Sequence, residues 1–349
     1  MTASVADMLI TPIPVRVHPQ ADLLDRRTSE WVRFHRLGLV EQGPDYLARI
    51  GSGHMAARVF PHAATDDAQI GSDYLGFMFA LDDVADILGP RDLGRYAARA
   101  ARLQRLVDAP GSPPLDDDPY AGALDDLLAR LARIATPGQL YRLSVGFRSF
   151  LFGALWQASS HLDGSAIGLN QYTALRIPSF GLRSLLPVFE IVHCYHPNDE
   201  ELAAPAVRAL TEMAAFIGSC DNDIYSWAKD AAAGATHVNL VGVLSQGTDD
   251  GGLSQHEALG RAVALRNHVM ALFARRCAEV GRDASDDLRS YLRDLGGFVA
   301  GWSEFHRVSR RFQRPGGVEI TTVVTSPTTG APDPLSPLPI PTIAWWWTS

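Results

Sequence analysis

The segment from Tyr74 to Asp86 restricts the fold of this chain more than any other stretch. Residues 74–81 are apolar almost all round, so a helix here has no face suited to water and must be buried. Three carboxylates, on Asp82, Asp83 and Asp86, follow directly. On a helix, Asp82 and Asp86 lie one turn apart on one face, with Asp83 beside them. Clustered negative charge at the end of a buried helix favours a divalent cation, and carboxylate oxygens suit magnesium. The alternative is a solvated helix end on which the three carboxylates occur by chance.

Helical periodicity continues through almost every other long segment, with breaks at Gly-Pro, Pro-Pro and Pro-Gly pairs. The predicted helices cover residues 21–40, 69–88, 92–108, 119–134, 137–162, 169–176, 180–194, 198–230, 236–245, 253–281 and 283–312. No convincing strand pattern occurs before residue 318, and there is no internal repeat. We therefore predict an all-α fold with one domain over residues 18–314, preceded by an extension of residues 1–17.

The C-terminal tail, residues 315–349, differs from the rest of the chain. It has seven prolines, many Thr and Ser residues and almost no charge, which cannot build a core. We predict an extension that is either mobile or docked on the surface. The terminal Trp345-Trp346-Trp347 run is unusual for a free tail, and the sequence does not decide between the two states.

The composition excludes several functional classes. A net charge of −8 argues against a nucleic-acid partner, and no run of 18 apolar residues exists that would span a membrane. The start of the chain lacks the pattern of a signal peptide. The three cysteines, Cys194, Cys220 and Cys277, fit no zinc motif, so we interpret them as reduced thiols of a cytoplasmic protein.

A second set of polar residues recurs every four positions along the helix predicted over 198–230. Asn222, Ser226 and Asp230 therefore point the same way, and Lys229 lies next to them. An amide oxygen, a hydroxyl and a carboxylate make a second set of hard oxygen ligands. The alternative is a solvated polar stripe, but several large apolar residues leave little of this helix suited to water.

The two motifs together resemble the aspartate-rich motif and the NSE triad of bacterial class I terpene synthases. The second motif reads Asn222-Asp-Ile-Tyr-Ser226-Trp-Ala-Lys229-Asp230, with Asp where the family usually has Glu. That family has a diphosphate-sensing arginine 46 residues before the triad's Asn, and Arg176 stands at that offset. Ser179 then falls at the linker position, where Asp is common, and Phe180 falls at the effector position.

Two further segments are similar to the same family. The C-terminal Arg311-Phe312 pair matches its diphosphate-binding Arg-Tyr pair, with Phe in place of Tyr. More loosely, Trp31 with the Gly38-Leu39 step that follows it, and the Phe60-Pro61 step, resemble its N-terminal part. The resemblance thus covers about residues 18–314.

The resemblance implies a single-domain class I terpenoid synthase α-helical bundle around a central active-site cavity. It implies three Mg²⁺ ions, held by the aspartate-rich motif and the triad, with Arg176, Lys229 and Arg311 around the diphosphate. Ser179 and Phe180 would aim a backbone carbonyl at the forming cation. Phe79 and Phe180 are predicted pocket walls. Phe152 and Trp156, one turn apart on their own helix, are further candidates, with an ordinary core position as the alternative.

The implied activity is ionisation of a linear isoprenyl diphosphate and cyclisation of the carbocation. Farnesyl diphosphate, giving a sesquiterpene, is the expected substrate, and geranylgeranyl diphosphate is the alternative. Prenyl-chain elongation and squalene-type enzymes share the fold, but they carry a second aspartate-rich motif where this chain has Asn222 and Ser226. A non-catalytic helical binding domain is the competing hypothesis from another class. The resemblance is also compatible with a homodimer.

Overall fold

A computed structural model describes residues 9–38, 45–163, 166–232, 234–246, 252–309, 312 and 333–349. The described residues form thirteen α-helices and no β-strand. The helices are α1 (Ala21–Phe34), α2 (Ser52–Val59), α3 (Thr65–Arg91), α4 (Leu93–Asp108), α5 (Pro119–Leu131), α6 (Pro137–Asp163), α7 (Leu169–Ser179), α8 (Leu182–Val192), α9 (Asp199–Ala203), α10 (Pro205–Ala232), α11 (Leu240–Gln246), α12 (Gln255–Asp283) and α13 (Asp286–Val308). Three short 3₁₀ helices span Leu47–Arg49, Thr236–Val238 and Pro341–Trp347. The prediction of an all-α fold is confirmed. In the part of the chain that the structure describes, no helix is long and apolar enough to cross a bilayer.

The chain divides into two compact units. The N-terminal unit comprises Arg16–Leu162 and Gly181–Tyr195. It contains α1 to α6, except for the last residue of α6, together with α8. The C-terminal unit comprises Met1–Val15, Asp163–Phe180 and His196–Ser349, and so contains α7, α9 to α13 and the last 3₁₀ helix. Phe180 and Gly181, which are neighbours in the sequence between α7 and α8, therefore belong to different units.

The helix α3 forms the centre of the N-terminal unit. It packs against α1, α2, α4, α5 and α8, and residues 74–77 and 79–81 are buried, as their apolar character predicts. One buried carboxylate, Asp73, ties three of these helices together. It accepts hydrogen bonds from Thr28 of α1 and Gln69 of α3, each at 2.8 Å, and it pairs with Arg130 of α5 at 2.8 Å. A buried charge with this many donors fixes the rotation of α3.

The helix α10 forms the centre of the C-terminal unit, where it contacts α7, α9, α11, α12 and α13. A fully buried ion pair holds it against α12. The Arg266 guanidinium donates to both oxygens of Asp221, at 2.8 and 3.1 Å, and also to Thr11 at 2.9 Å. Burial raises the pKa of the Asp221 carboxyl, and the charge of Arg266 opposes that rise. The pair fixes the rotation of α10 one residue before Asn222.

The last seventeen residues of the chain, 333–349, are docked on the C-terminal unit rather than free. The Trp346 ring is fully buried, meets the Phe216 ring edge-on at 5.9 Å, and donates its indole N–H to Glu212 at 3.2 Å. The Arg276 guanidinium donates to the backbone carbonyl of Trp347 at 2.9 Å. Of the two states predicted for the tail, the structure shows the docked one over these residues. This segment has almost no charged residues, and burial of its aromatic side chains provides the contact area with the C-terminal unit.

Two differences separate the predicted helices from the observed ones. The eight-residue α2 was not predicted, because so short a segment carries little periodic signal. The helix predicted over 198–230 is two helices, α9 and α10. The break falls at Pro205, which opens α10, because proline suits the first turn of a helix and lacks the N–H that a continuing helix needs.

Candidate active site

The three carboxylates at the end of α3 differ in exposure. Asp83 is 5% exposed, Asp82 is half-buried and Asp86 is exposed. The amide of Gln157, on α6, donates to Asp86 at 3.1 Å. The structure therefore runs from a buried to a solvent-facing carboxylate within one helical turn, as expected where an apolar helix emerges from a core.

Tyr96, on α4, interacts electrostatically with two of these carboxylates, Asp82 and Asp86. Its side chain is fully buried, and burial raises its pKa, with the charges of Asp82 and Asp86 raising it further. Among the described residues its hydroxyl has no hydrogen-bond partner. A buried hydroxyl without a partner is costly, so this one suits a site where a cation or its bound water completes the hydrogen bonding.

The carboxylates do not form a closed metal cage by themselves. Within the described ranges, no group of three or more His, Cys, Asp or Glu side chains converges as a metal site would require.

The triad of α10 lies on one face of the helix, as its four-residue spacing predicts. The Ser226 hydroxyl donates to Asp230 at 2.5 Å, and the Lys229 ammonium lies 3.4 Å from the other oxygen of that carboxylate. Ser226 is buried, whereas Asn222 and Asp230 are half-buried. Two of the three predicted ligands, Ser226 and Asp230, thus contact each other, and Asn222 and Asp230 are partly open to solvent.

Arg176, on α7, lies beside the triad. Its guanidinium reaches the Asn222 side-chain oxygen at 3.4 Å and donates to Asp223 at 2.8 Å. The 46-residue offset from which Arg176 was predicted therefore corresponds to a direct contact. Within the C-terminal unit, the structure brings together the sensor position and the first triad residue.

Asp223, next to Asn222, is a buried carboxylate that the motifs did not single out. Besides Arg176, it accepts hydrogen bonds from the Tyr172 hydroxyl at 2.6 Å and from the backbone N–H of Leu240 at 2.7 Å. Burial raises the pKa of its carboxyl, while the Arg176 charge and these donors oppose that rise. A carboxylate directly after the predicted ligand Asn222 was the available signal. The usual Asp at the linker position is Ser179 here, and Asp223 supplies Arg176 with a carboxylate partner.

Asn239, directly before α11, is a second residue that the motifs did not reveal. Its amide donates to the backbone carbonyl of Asp223 and to the Asp230 carboxylate, each at 2.9 Å. It thereby links the two ends of the triad. Nothing in its sequence surroundings marks it, because the contact depends on how α11 folds back onto α10.

The turn after α7 carries the predicted effector. The helix ends at Ser179, which is buried, and Gly181 has a φ of 80°, in the left-handed region that favours glycine. The ring of Phe180 lies against Gly218 of α10, where a Cβ atom would come within 2.4 Å of the ring. Gly218 lies one turn before Asn222, so the effector ring and the triad share one region of α10.

Two aromatic residues of α13 extend the surface around Phe180. Trp302 meets Phe180 edge-on at 5.4 Å, and Phe298 does so at 6.1 Å. The Trp302 indole N–H donates to the Gly218 carbonyl at 3.0 Å, which orients its ring. Their four-residue spacing on one helix was the signal that could have found them.

The remaining predicted residues have varied positions. Arg311 lies outside the described residues. Phe312 is buried, and its ring centroid lies 4.2 Å from that of His306, with the two rings tilted by 39°. Phe79 is buried on α3, at 8% exposure. By contrast, Phe152 and Trp156 are exposed, at 67% and 40%, on the surface of α6. That exposure argues against an ordinary core position, and the role of both residues as pocket walls stays a prediction.

Known proteins are similar to this chain in sequence and in fold over most of their length. The chain matches the family described as terpene synthase family 2, C-terminal metal binding, over residues 73–271. It is 31% identical to spiroviolene synthase of Streptomyces violens, over 99% of this chain and 98% of that protein. It is 29% identical to (+)-T-muurolol synthase ((2E,6E)-farnesyl diphosphate cyclizing) of Streptomyces clavuligerus, over 97% and 81% of the two chains.

The structural comparison agrees with the sequence matches. The crystal structure of the A224I mutant of the SVS_A2 protein, from ancestral sequence reconstruction, superimposes with a TM-score of 0.84 at 29% identity. The match covers 100% of this chain and 98% of that one. An all-α fold with an aspartate-rich helix end and an Asn–Ser–Asp triad defines the class of metal-dependent class I terpene synthases. The chain belongs to the terpene synthase family and is an enzyme of that class. The matched residues include both predicted ligand sets, and the non-catalytic alternative is not favoured.

Proposed function

We propose that this enzyme ionises a linear isoprenyl diphosphate with Mg²⁺ and cyclises the carbocation, using a catalytic domain over residues 18–314 in the cytoplasm. The observation that carries the proposal is the contact between Arg176 and Asn222. A diphosphate-binding cation placed next to a metal ligand is the arrangement that departure of a metal-bound diphosphate requires.

The metal ligands in this proposal are the two oxygen sets, which would hold three Mg²⁺ ions. They are Asp82, Asp83, Asp86, Asn222, Ser226 and Asp230. Their chemistry fits, because every donor atom is a hard oxygen, and the buried Tyr96 hydroxyl near Asp82 and Asp86 lacks a protein partner among the described residues. Bound Mg²⁺ stabilises the charge that develops on the leaving diphosphate.

The side chains around the diphosphate act by binding it and orienting it. Arg176 and Lys229 supply positive charge, and Arg311 is proposed to do the same. Asp223 fixes the Arg176 guanidinium through a 2.8 Å hydrogen bond, so that it is oriented before the substrate arrives. Phe312 supplies no hydroxyl to the diphosphate, so one hydrogen bond usual in the family is absent, at a cost of about 1–2 kcal/mol.

The pocket walls in this proposal are aromatic. Phe180, Phe298 and Trp302 form a buried or half-buried cluster, and Phe79 is proposed as a further wall. Ring faces attract a cation through their quadrupole without reacting with it, and the same rings exclude water that would quench it. Ser179 and Phe180 position the turn that directs a backbone carbonyl toward the forming cation.

Farnesyl diphosphate is the proposed substrate, and support comes from (+)-T-muurolol synthase, whose name states that it cyclises farnesyl diphosphate. Geranylgeranyl diphosphate is the second candidate, because two relatives, 26% and 27% identical to this chain, are named diterpene cyclases. Both sets of relatives align with most of this chain, so pocket contour rather than family decides between the substrates.

Incubation of the purified chain with Mg²⁺ and geranyl, farnesyl or geranylgeranyl diphosphate, followed by gas chromatography–mass spectrometry, tests the proposal. We expect a cyclic sesquiterpene from farnesyl diphosphate. A cyclic diterpene alone would replace the first substrate by the second, and no hydrocarbon or alcohol from any of the three would contradict the activity. Thermal denaturation adds an independent test, since Mg²⁺ and pyrophosphate together should stabilise the chain far more than either does alone.

A further inference from the structure

Asn239 uses both polar atoms of its side chain in hydrogen bonds, at a position that is 2% exposed. Its carbonyl oxygen accepts from the backbone N–H of Val241, in the first turn of α11, at 2.9 Å. Its amide nitrogen donates to the backbone carbonyl of Asp223 and to the Asp230 carboxylate, each at 2.9 Å. A primary amide has two N–H donors, and these two acceptors use both. The side chain is therefore held in one orientation.

The two oxygens of the Asp230 carboxylate have different surroundings. Oδ2 accepts from the Asn239 amide and also from the Ser226 hydroxyl, at 2.5 Å. Oδ1 instead forms an ion pair with the Lys229 ammonium, at 3.4 Å. A carboxylate oxygen has about two lone-pair sites, so the two donors fill those of Oδ2. Oδ1 is therefore the oxygen that is better placed to bind a cation.

The same contacts set the direction of the Ser226 hydroxyl. Its proton is donated to Oδ2 of Asp230, so the lone pairs of its oxygen point elsewhere and can bind a cation. A change in the orientation of the Asp230 carboxylate would move that acceptor and turn the hydroxyl with it. The Asn239 amide thus acts on two proposed ligands through one carboxylate oxygen.

We propose that Asn239 is a positioning residue of the triad, which holds Oδ2 of Asp230 so that Oδ1 is presented to the cation. The inference rests on the proposed function, because it takes Ser226 and Asp230 as metal ligands. Asp230 is one methylene shorter than the Glu that is usual in the family, so its reach is smaller and its orientation matters more. Residues that hydrogen-bond to a metal ligand fix its orientation before the metal binds.

The alternative role for Asn239 is an ordinary helix cap. An Asn side chain that accepts from a backbone N–H in the first turn stabilises the start of α11, and that role needs no contact with Asp230. Asn239→Ser separates the two roles. Serine also caps helices, but its hydroxyl is one bond closer to the backbone than the amide nitrogen and does not reach the Asp230 carboxylate.

Thermal denaturation of the full chain at a fixed pyrophosphate concentration and a series of Mg²⁺ concentrations tests the proposal. We expect Asn239→Ser to raise the Mg²⁺ concentration for half of the ligand-dependent shift by about 10-fold or more, as expected for loss of a residue that orients a metal ligand. The melting temperature without ligands, measured for each variant, separates this shift from any loss of stability.

Asn198→Ser is the matched control. Asn198 caps α9, where its side chain accepts from the backbone N–H of Glu201 at 2.7 Å. The substitution makes the same chemical change at a helix start that does not belong to the triad. It should keep the wild-type Mg²⁺ requirement, and an equal rise in both variants would overturn the proposal.

A double-mutant cycle tests whether Asn239 acts through Asp230. In an Asp230→Ala background, Asn239→Ser should not raise the Mg²⁺ requirement further, because the carboxylate that Asn239 positions is gone. Additive effects would overturn the proposal, and so would an unchanged requirement in Asn239→Ser when the wild type responds to Mg²⁺ with pyrophosphate. A wild type without any Mg²⁺-dependent shift would contradict the proposed function itself, and this inference with it.

Discussion

The two oxygen sets of this enzyme lie in different surroundings. On α10, Ser226 donates to Asp230 at 2.5 Å, Asn239 donates to the same carboxylate, and Arg176 contacts Asn222. At the end of α3, the three carboxylates range from buried to exposed. The triad thus lies among contacts from α7 and from the residue before α11, whereas the aspartate set passes from the core to the surface within one helical turn.

The largest expected effect comes from removing one ligand of each set. Asn222→Ala and Asp83→Asn should each lower turnover by about 10³-fold or more, because each weakens metal-assisted departure of the diphosphate. The two variants should differ in stability. Asp83→Asn relieves repulsion among the α3 carboxylates and should leave the melting temperature equal or higher, whereas Asn222→Ala should not raise it. Product yield by gas chromatography and thermal denaturation measure both effects; near-normal yield from both variants would refute the metal assignment.

The next effect concerns the residue that orients Arg176. Asp223→Asn keeps the shape of the side chain but removes the charge paired with Arg176, so turnover should fall about 10- to 100-fold. Breaking the buried pair should also destabilise the fold by about 3 kcal/mol. The discriminating measurement is pyrophosphate affinity in the presence of Mg²⁺, which should weaken.

A matched control for Asp223 exists in the N-terminal unit. Asp73 is buried and paired with Arg130 at 2.8 Å, so Asp73→Asn should cost similar stability. Its pyrophosphate affinity should stay at the wild-type value, because it contacts no proposed ligand residue. Equal loss of affinity in both variants would show that Asp223 acts through stability alone.

A smaller effect is expected where this chain departs from its family. Asp230→Glu restores the longer carboxylate and should change the Mg²⁺ concentration for half-maximal turnover by about two- to five-fold. Asp86→Glu makes the same one-methylene extension in the aspartate set of α3. It should change the Mg²⁺ concentration for half-maximal turnover less, since the exposed Asp86 side chain can adjust its position. If Asp86→Glu had the larger effect, the proposed difference between the two sets would be reversed.

The smallest effect is expected at Asp108, a carboxylate outside both oxygen sets that accepts hydrogen bonds from neighbouring side chains. Burial tends to raise the pKa of Asp108, but hydrogen bonds from Ser144 and Gln104 and the charge of Arg148 lower it overall. A lowered folded-state pKa stabilises the fold above the pKa of the unfolded chain, and that stability is lost as pH falls through the folded value. Asp108→Asn should therefore cost about 0.5–1 kcal/mol at pH 7, and the difference should shrink near pH 3. Urea denaturation at the two pH values measures it; a pH-independent difference would contradict the linkage.

The sequence singled out Arg176 and Asn222, but not the residues that hold them in place. Arg176 was found through its offset from Asn222, and the two lie in contact. Asp223, Asn239 and Trp302 were missed, because each acts through a residue on another helix. Phe152 and Trp156 have helical spacing that fits an inner face and an outer face equally well, and only their exposure distinguishes the two.

What the sequence determined by itself was local: helix type and the spacing of polar residues on one helix face. These follow from backbone geometry that repeats every 3.6 residues. What only the tertiary structure decided was pairing: the Arg176–Asp223 contact, the docking of residues 333–349, and the solvent-facing side of α6. The physical reason is that burial and ion pairing depend on which helix packs against which, and a single helix does not encode the identity of its neighbours.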